Sequence, residues 1–176
     1  MYYEIETSRL LLRPLNIRDL NTVHEYASDS DNTRFMLRLP NETAEETAEF
    51  LTRVTDEWEK PEPAFFEFAV VSNEEQIGAV SLYLNEERTT AELGWILNKR
   101  FWKNGYATEA ALAVKDFAFN VLRVKKLVAQ CDHRNEPSYR LMERIGLKLE
   151  SDDGTRFYHK RNETAGELTY SLTVGR

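Results

Sequence analysis

Three cations, Lys99, Arg100 and Lys103, stand just ahead of the stretch "GYATEA" at positions 105–110. That stretch reads as the start of a helix. A helix N-terminus already carries partial positive charge, so cations are disfavoured there. Gly105, Ala107, Ala110 and Ala111 are small enough to let a ligand approach the backbone closely. A strand-to-helix turn with free N–H groups is an anion site. The chemistry these residues suggest is the binding of a polyanion, a phosphate ligand above all, with the cations as counter-charge. The alternative is that they are ordinary surface charges on a loop. The chain has no G-x-x-x-x-G-K-[ST] and no G-x-G-x-x-G, and Gly105 is the only glycine between Trp95 and Ile145. A nucleoside triphosphate or dinucleotide site therefore has little support.

The elements around this turn follow from periodicity. Ala107, Ala110, Ala111, Val114, Phe117 and Val121 form the apolar stripe of a long helix from about 104 to 122. Ahead of it, "FFEFAVVS", "QIGAVSLYL" and "TAELGWIL" read as three strands, the first two joined across Asn73, Glu74 and Glu75 as a hairpin. Several are apolar on both faces, which predicts a sheet covered on both sides. "SRLLLRPL" is a first strand, and Asn16 and Thr43 are N-caps of two earlier helices, the second with a Thr43–Glu46 capping box. "KKLVAQCD" is a buried strand. "EPSYRLMERI" is a short helix with Pro137 in its first turn and Gly146 at its end. "LKLES", "RFYHKR" and "ELTYSLTV" close the chain as antiparallel strands. The order predicts a mixed α/β layer fold without regular βα alternation.

With these motifs placed, the sequence resembles the GNAT superfamily of acetyl-CoA-dependent N-acetyltransferases. "GWILNKRFWKNGYATEAALAVKDFAF" and "QCDHRNEPSYRLMERIGL" carry the resemblance, most specifically "GYATEA" and the spacing of Asn135, Ser138 and Gly146. It extends to the opening "IETSRLLLRPL" and the closing "ELTYSLTV", and its nearest group looks like the ribosomal-protein-alanine acetyltransferases. The family's pyrophosphate loop, [QR]-x-x-G-x-[GA], falls on Trp102–Ala107. Gly105 and Ala107 match, while Trp102 departs from glutamine or arginine, and Lys103 stands where the subgroup often has glycine.

The resemblance implies a GNAT-like fold: a central twisted, mostly antiparallel sheet with one splayed parallel strand pair and helices on both faces. It implies acetyl-CoA as cosubstrate and no metal. The pyrophosphate would rest on backbone N–H groups from Asn104 through Gly105, Tyr106 and Ala107 to Thr108. Lys103, Lys99 and Arg100 are candidates for the outer phosphates. Pantetheine would run between the strands of Trp95, Ile96 and Leu97 and of 128–131, where splaying frees backbone groups for its amides. Asn135 would bond the pantetheine arm, or serve as a plain helix N-cap.

The implied reaction is attack of a neutral amine on the thioester carbonyl, through a tetrahedral intermediate, with thiolate departure. The oxyanion donor would be a backbone N–H near Ile96 or Leu97. Glu92 is the first candidate base, since it shares a strand face with Gly94 and Ile96. Glu67, flanked by phenylalanines, is the second. Each has an alternative as a carboxylate paired with a cation. Many family members use a tyrosine four residues beyond Ser138 as acid, but here that residue is Met142, which cannot donate a proton. Ser138 is the substitute, unless it only satisfies a local N–H. The expected acceptor is a protein N-terminal α-amine. A small-molecule amine or antibiotic is the alternative, and a non-catalytic acyl-CoA-binding module a further one.

Composition is compatible with this reading. The chain has 176 residues, 41% hydrophobic and 30% charged, which fits one domain over 1–176. A net charge of -7 argues against a nucleic-acid or membrane surface. Cys131 is the single cysteine, so no intrachain disulfide forms, and three scattered histidines supply no metal-ligand cluster. The opening "MYYEIETSRL" has neither the basic nor the apolar part of a signal peptide, and a cytoplasmic monomer or homodimer is expected.

Overall fold

A computed structural model describes residues 2–175, so the 1–176 domain expectation reaches one residue outside the described range at each end. One eight-stranded sheet organises the chain. Its strands are β1 (Ile5–Glu6), β2 (Leu11–Pro14), β3 (Phe65–Ser72), β4 (Glu75–Leu84), β5 (Thr90–Leu97), β6 (Lys126–Asp132), β7 (Lys148–Tyr158) and β8 (Glu163–Thr173). Their order is β1-β2-β3-β4-β5-β6-β8-β7. Every neighbouring pair is antiparallel except β5 and β6. The mixed sheet with one parallel pair is as expected.

Four α-helices, α1 (Leu20–Ala27), α2 (Ala44–Glu59), α3 (Tyr106–Asn120) and α4 (Glu136–Arg144), and three short 3-10 turns complete the described elements. Residues 66–70 of β3 are buried in succession, so both faces of the sheet are covered there. On one face, Phe117 of α3 packs edge-on against Phe66 and Phe68 at ring separations of 5.6 and 5.4 Å.

Local chemistry accounts for most boundaries. Asn16 caps a short 3-10 turn, Ile17–Asp19, that leads into α1, and the Asp19 carboxylate returns to the Asn16 N–H. Thr43 caps α2 as expected, accepting from Glu46 N–H, but the Glu46 carboxylate reaches one residue further back, to Glu42 N–H. The β3–β4 turn is two residues, Asn73 and Glu74, both left-handed, and Glu75 already belongs to β4. Val121 was expected in the buried stripe of α3, yet it is 49% exposed because the helix ends one residue before it. Gly146, at φ +92, closes α4 in the conformation that glycine adopts most readily.

"LKLES" and "RFYHKR" are not two strands. β7 runs through both, and "SDDG" is absorbed as register shifts against the long partner β8. β7 is the last strand of the sheet, paired on one side alone.

Candidate active site

The parallel pair stops early. β5 and β6 pair from Thr90–Lys126 to Glu92–Val128 and no further. β5 continues on β4 as far as Leu97, and β6 continues on β8 as far as Asp132. The two strands therefore part, and a slot opens between 93–97 and 129–132. Trp95 and Ile96 are only half-buried although β5 is an interior strand. Asn32 Nδ2 and Trp102 Nε1 both donate to Leu97 O at 2.9 Å, fixing the far end of β5 from the loop side.

At the mouth of that slot α3 begins without a side-chain cap. Gly105 is its N-cap residue at φ +80, and the helical ladder opens with Glu109 N–H donating to Gly105 O at 3.0 Å. The amides of Tyr106, Ala107 and Thr108 therefore lack intrahelical acceptors. Asn104 and Lys103 are exposed beside them, and Asn104 Nδ2 donates to the carbonyls of Phe101 and Trp102, closing the preceding turn.

The cations are arranged differently from their sequence positions. Lys99 pairs with Asp29 at 2.5 Å and with Asp31 at 3.7 Å. Arg100 pairs with Glu25 and Glu75, each at 2.9 Å. Both hold the α1 side of the molecule to the end of β5, which corrects their expected place at outer phosphates. Lys103 alone of the three stands at the loop tip, at φ +64. The sequence reading missed Arg9. Its Nη1 donates to Asn104 O at 2.9 Å, and its guanidinium lies 4.7 Å from the Tyr106 ring centroid. Its Nε and Nη2 both engage Glu109 Oε2 at 2.7 Å.

Asn135 precedes α4, but its side-chain amide makes no capping bond and no other hydrogen bond among the described residues. Asn135 thus holds the N-cap position through its backbone carbonyl, which accepts from Ser138 N–H at 3.0 Å, while its side-chain amide caps nothing and is half-exposed. The turn that carries Asn135 is fixed by Asp132, which is fully buried. Its carboxylate accepts from Tyr158 Oη at 2.8 Å and from Arg134 Nη2 at 2.7 Å. Burial opposes its ionisation, but the Arg134 and Tyr158 bonds prevail and hold the carboxyl far below its usual range.

The acid and base candidates lie on opposite faces. Register places Glu67 opposite Ser81 and Gly94, and Tyr83 opposite Glu92, so Glu67, Tyr83 and Glu92 share one sheet face. Glu67 is 7% exposed, and Tyr83 Oη donates to its Oε1 at 2.7 Å. Burial pushes the Glu67 carboxyl up to about 7, the Tyr83 bond pulling only partly back. Glu92 is exposed at the rim; its carboxyl is also raised, by desolvation and then by Glu167, with Arg156 opposing. Cys131 belongs to the other face, beside Ser138 of α4, whose hydroxyl favours the thiolate only slightly. Burial pushes that thiol up to about 11, so it stays protonated. Met142 is buried in the core, as its side chain requires.

Over the carboxylate face lies the connection between α1 and α2. Arg156 Nη1, Lys160 Nζ and Arg161 Nη1, from β7 and the turn after it, donate to the carbonyls of Phe35, Pro40 and Arg34. Arg156 also pairs with Glu167 at 3.0 Å. Among the described residues, no group of three or more His, Cys, Asp or Glu is placed to hold a metal, and no helix is long and apolar enough to cross a membrane.

The uncapped helix, the adjacent slot and the unengaged Asn135 amide fit a diphosphate joined to a slender amide-bearing arm. Comparison with known proteins identifies the family. The uncharacterized N-acetyltransferase YnaD of Bacillus subtilis (strain 168) is 33% identical over 151 residues, 83% of each chain. The crystal structure of a GNAT-family acetyltransferase from Bacillus anthracis superposes with a TM-score of 0.84 at 29% identity, covering 97% of this chain and 98% of that one. Two coenzyme-bound structures share the fold. One is Vibrio cholerae spermidine N-acetyltransferase with CoA and spermine, at TM-score 0.80 and 21% identity, covering 95% and 96%. The other is RimL, a ribosomal-protein α-N-acetyltransferase, with coenzyme A, at TM-score 0.84 and 15% identity, covering 98% of each. The family model described as Acetyltransferase (GNAT) domain matches residues 9–148, and the chain belongs to this family of acetyl-CoA-dependent acyltransferases.

Proposed function

We propose that this enzyme acetylates a protein N-terminal α-amine, with Glu67 as the base. The observation that carries the reading is the place of Glu67, buried under the α1–α2 connection with Tyr83 Oη donating to it at 2.7 Å, a setting that raises its carboxyl to about 7. A free α-amine has a pKa of about 7.7–8.0 and a lysine amine about 10.4. A base near 7 is matched to the first within about one unit and falls more than three units short of the second. RimL, which shares the fold, acts on such an amine.

In this reading the amides from Asn104 to Thr108 hold the pyrophosphate, with Lys103 at its outer side. Trp95, Ile96 and Leu97 wall the pantetheine slot, and Asn135 bonds its arm. Glu67 takes the acceptor's proton, directly or through water, and the amine nitrogen attacks the thioester carbon. A backbone N–H near Ile96 or Leu97 holds the oxyanion. As the C–S bond breaks, the Ser138 hydroxyl gives its proton to the sulfur from the opposite face and regains one from solvent, while Glu67 releases to solvent the proton it took. Base and acid thus work from the two sides of the sheet, meeting in the gap between β5 and β6. Glu92, at the rim, orients the acceptor or relays its proton.

A second reading is favoured by the acidic face itself. Glu67, Glu92 and Glu167 would also suit a small polycation, and the Vibrio cholerae neighbour was solved with spermine. Thiol release from acetyl-CoA, measured with N-terminal peptides, spermidine and other small amines, separates the two. A higher kcat/KM for peptides supports the first reading, and a higher value for spermidine replaces it.

A further inference from the structure

We propose that Arg9 is a positioning residue for the coenzyme's diphosphate, bracing the loop whose amides receive it. This rests on the pyrophosphate site proposed above and adds a residue from the opposite end of the chain.

Arg9 lies 95 residues from Asn104 in sequence, in the turn between β1 and β2. Its planar side chain reaches three consecutive positions of the loop. Nη1 holds Asn104 O, and Nη2 would be 3.4 Å from a Cβ built on Gly105. The guanidinium covers the Tyr106 ring. The other edge of the fork grips Glu109 in the first turn of α3. Glu109 is itself tied down by Thr7 Oγ1 at 2.6 Å, Ser8 Oγ at 3.0 Å and Arg9 N–H at 2.9 Å. The turn 7–9 and the helix start are therefore one unit, closed by five donors on one carboxylate and one donor on the loop carbonyl.

Two consequences follow for a diphosphate. Glu109 would be a negative charge within one turn of the ligand's phosphates, and Arg9 neutralises it. The bond to Asn104 O also fixes the peptide plane whose N–H belongs to Gly105, so that amide of the site is aimed before the ligand arrives. With Lys99 and Arg100 engaged by acids elsewhere, Arg9 is the cation packed against Gly105. A lysine cannot do the same work, since it lacks the fork that joins carboxylate, carbonyl and ring face at once.

The test compares two acetyl donors, acetyl-CoA and S-acetylpantetheine, which lacks the diphosphate. For Arg9→Ala, KM for acetyl-CoA should rise about tenfold, with kcat within about twofold and KM for S-acetylpantetheine unchanged. Arg9→Lys should recover less than half of the loss. Arg9→Ala combined with Glu109→Gln should recover only the part due to the uncovered carboxylate. An unchanged KM for acetyl-CoA, an equal loss with both donors, or full recovery by lysine would each overturn the proposal. Failure of the site itself reads differently: Gly105→Glu would then leave coenzyme binding intact while the wild type still turns over.

Discussion

Tyr83 and Glu67, on adjacent strands of one sheet face, share a 2.7 Å hydrogen bond in which the phenol donates to a buried carboxyl. Burial lifts that carboxyl to about 7, and the phenol keeps it from rising further. A group held there is half ionised at neutral pH, which is where a base for an α-amine works best.

For Glu67→Gln, kcat/KM should fall at least a hundredfold at pH 8, and the limb near pH 7 in the wild-type profile should disappear. A profile that keeps its limb would remove Glu67 as the base and turn attention to Glu92.

The same carboxyl makes stability depend on pH. Its folded pKa, about 7, lies above the ordinary 4.5, so the folded state binds more protons between those values and stability declines as pH rises through that window. The full effect is about 3 kcal/mol, reached above pH 7. Glu67→Gln should therefore gain stability over wild type at pH 8 and much less at pH 4.5. Urea unfolding at the two pH values checks this.

Tyr83→Phe deletes the bond that favours the ionised form. The activity limb should move to higher pH, with little change in KM for acetyl-CoA. A limb moving downward in the pH–kcat/KM profile would contradict the assigned direction of the bond.

Asn135→Ala removes a side-chain amide with no hydrogen-bond partner among the described residues. Affinity for acetyl-CoA should drop roughly tenfold, the worth of about one hydrogen bond, while the melting temperature stays within a degree or two. Isothermal titration and calorimetry read the two quantities; an unchanged affinity excludes Asn135 from the site.

Gly105→Glu puts a carboxylate and a Cβ at a left-handed position beside the free amides. Coenzyme binding should be lost to beyond a hundredfold, with a stability cost of about 1 kcal/mol from the backbone alone. Intact binding would move the diphosphate elsewhere.

Much of this was legible from local pattern. The α3 stripe, the caps at Asn16 and Thr43, Gly105 and Gly146 all depend on neighbours within a few residues. The misread features depend on partners that only folding supplies. Lys99 and Arg100 look like phosphate ligands until α1, its following turn and the β3–β4 hairpin bring four acids to them. Arg9 lies in the opening that resembles the family, but nothing near it in sequence points to the Asn104 carbonyl, 95 residues away. Glu92 ranked ahead of Glu67 on strand position, but sequence does not show that Glu67 is sealed in beside Tyr83 while Glu92 stays at the rim. The continuity of β7 was hidden by "SDDG", which reads as a break unless an eleven-residue partner is known to lie alongside.

That interruption has a use of its own. A sheet ending in a long unpaired strand offers a row of backbone donors and acceptors to any passing chain, a route to intermolecular aggregation. In β7 the pleat is broken twice, and Asp152 and Asp153 place like charges along the rim. A second molecule could not add itself there in continuous register without aligning those acids, so the irregular edge protects the protein at high concentration.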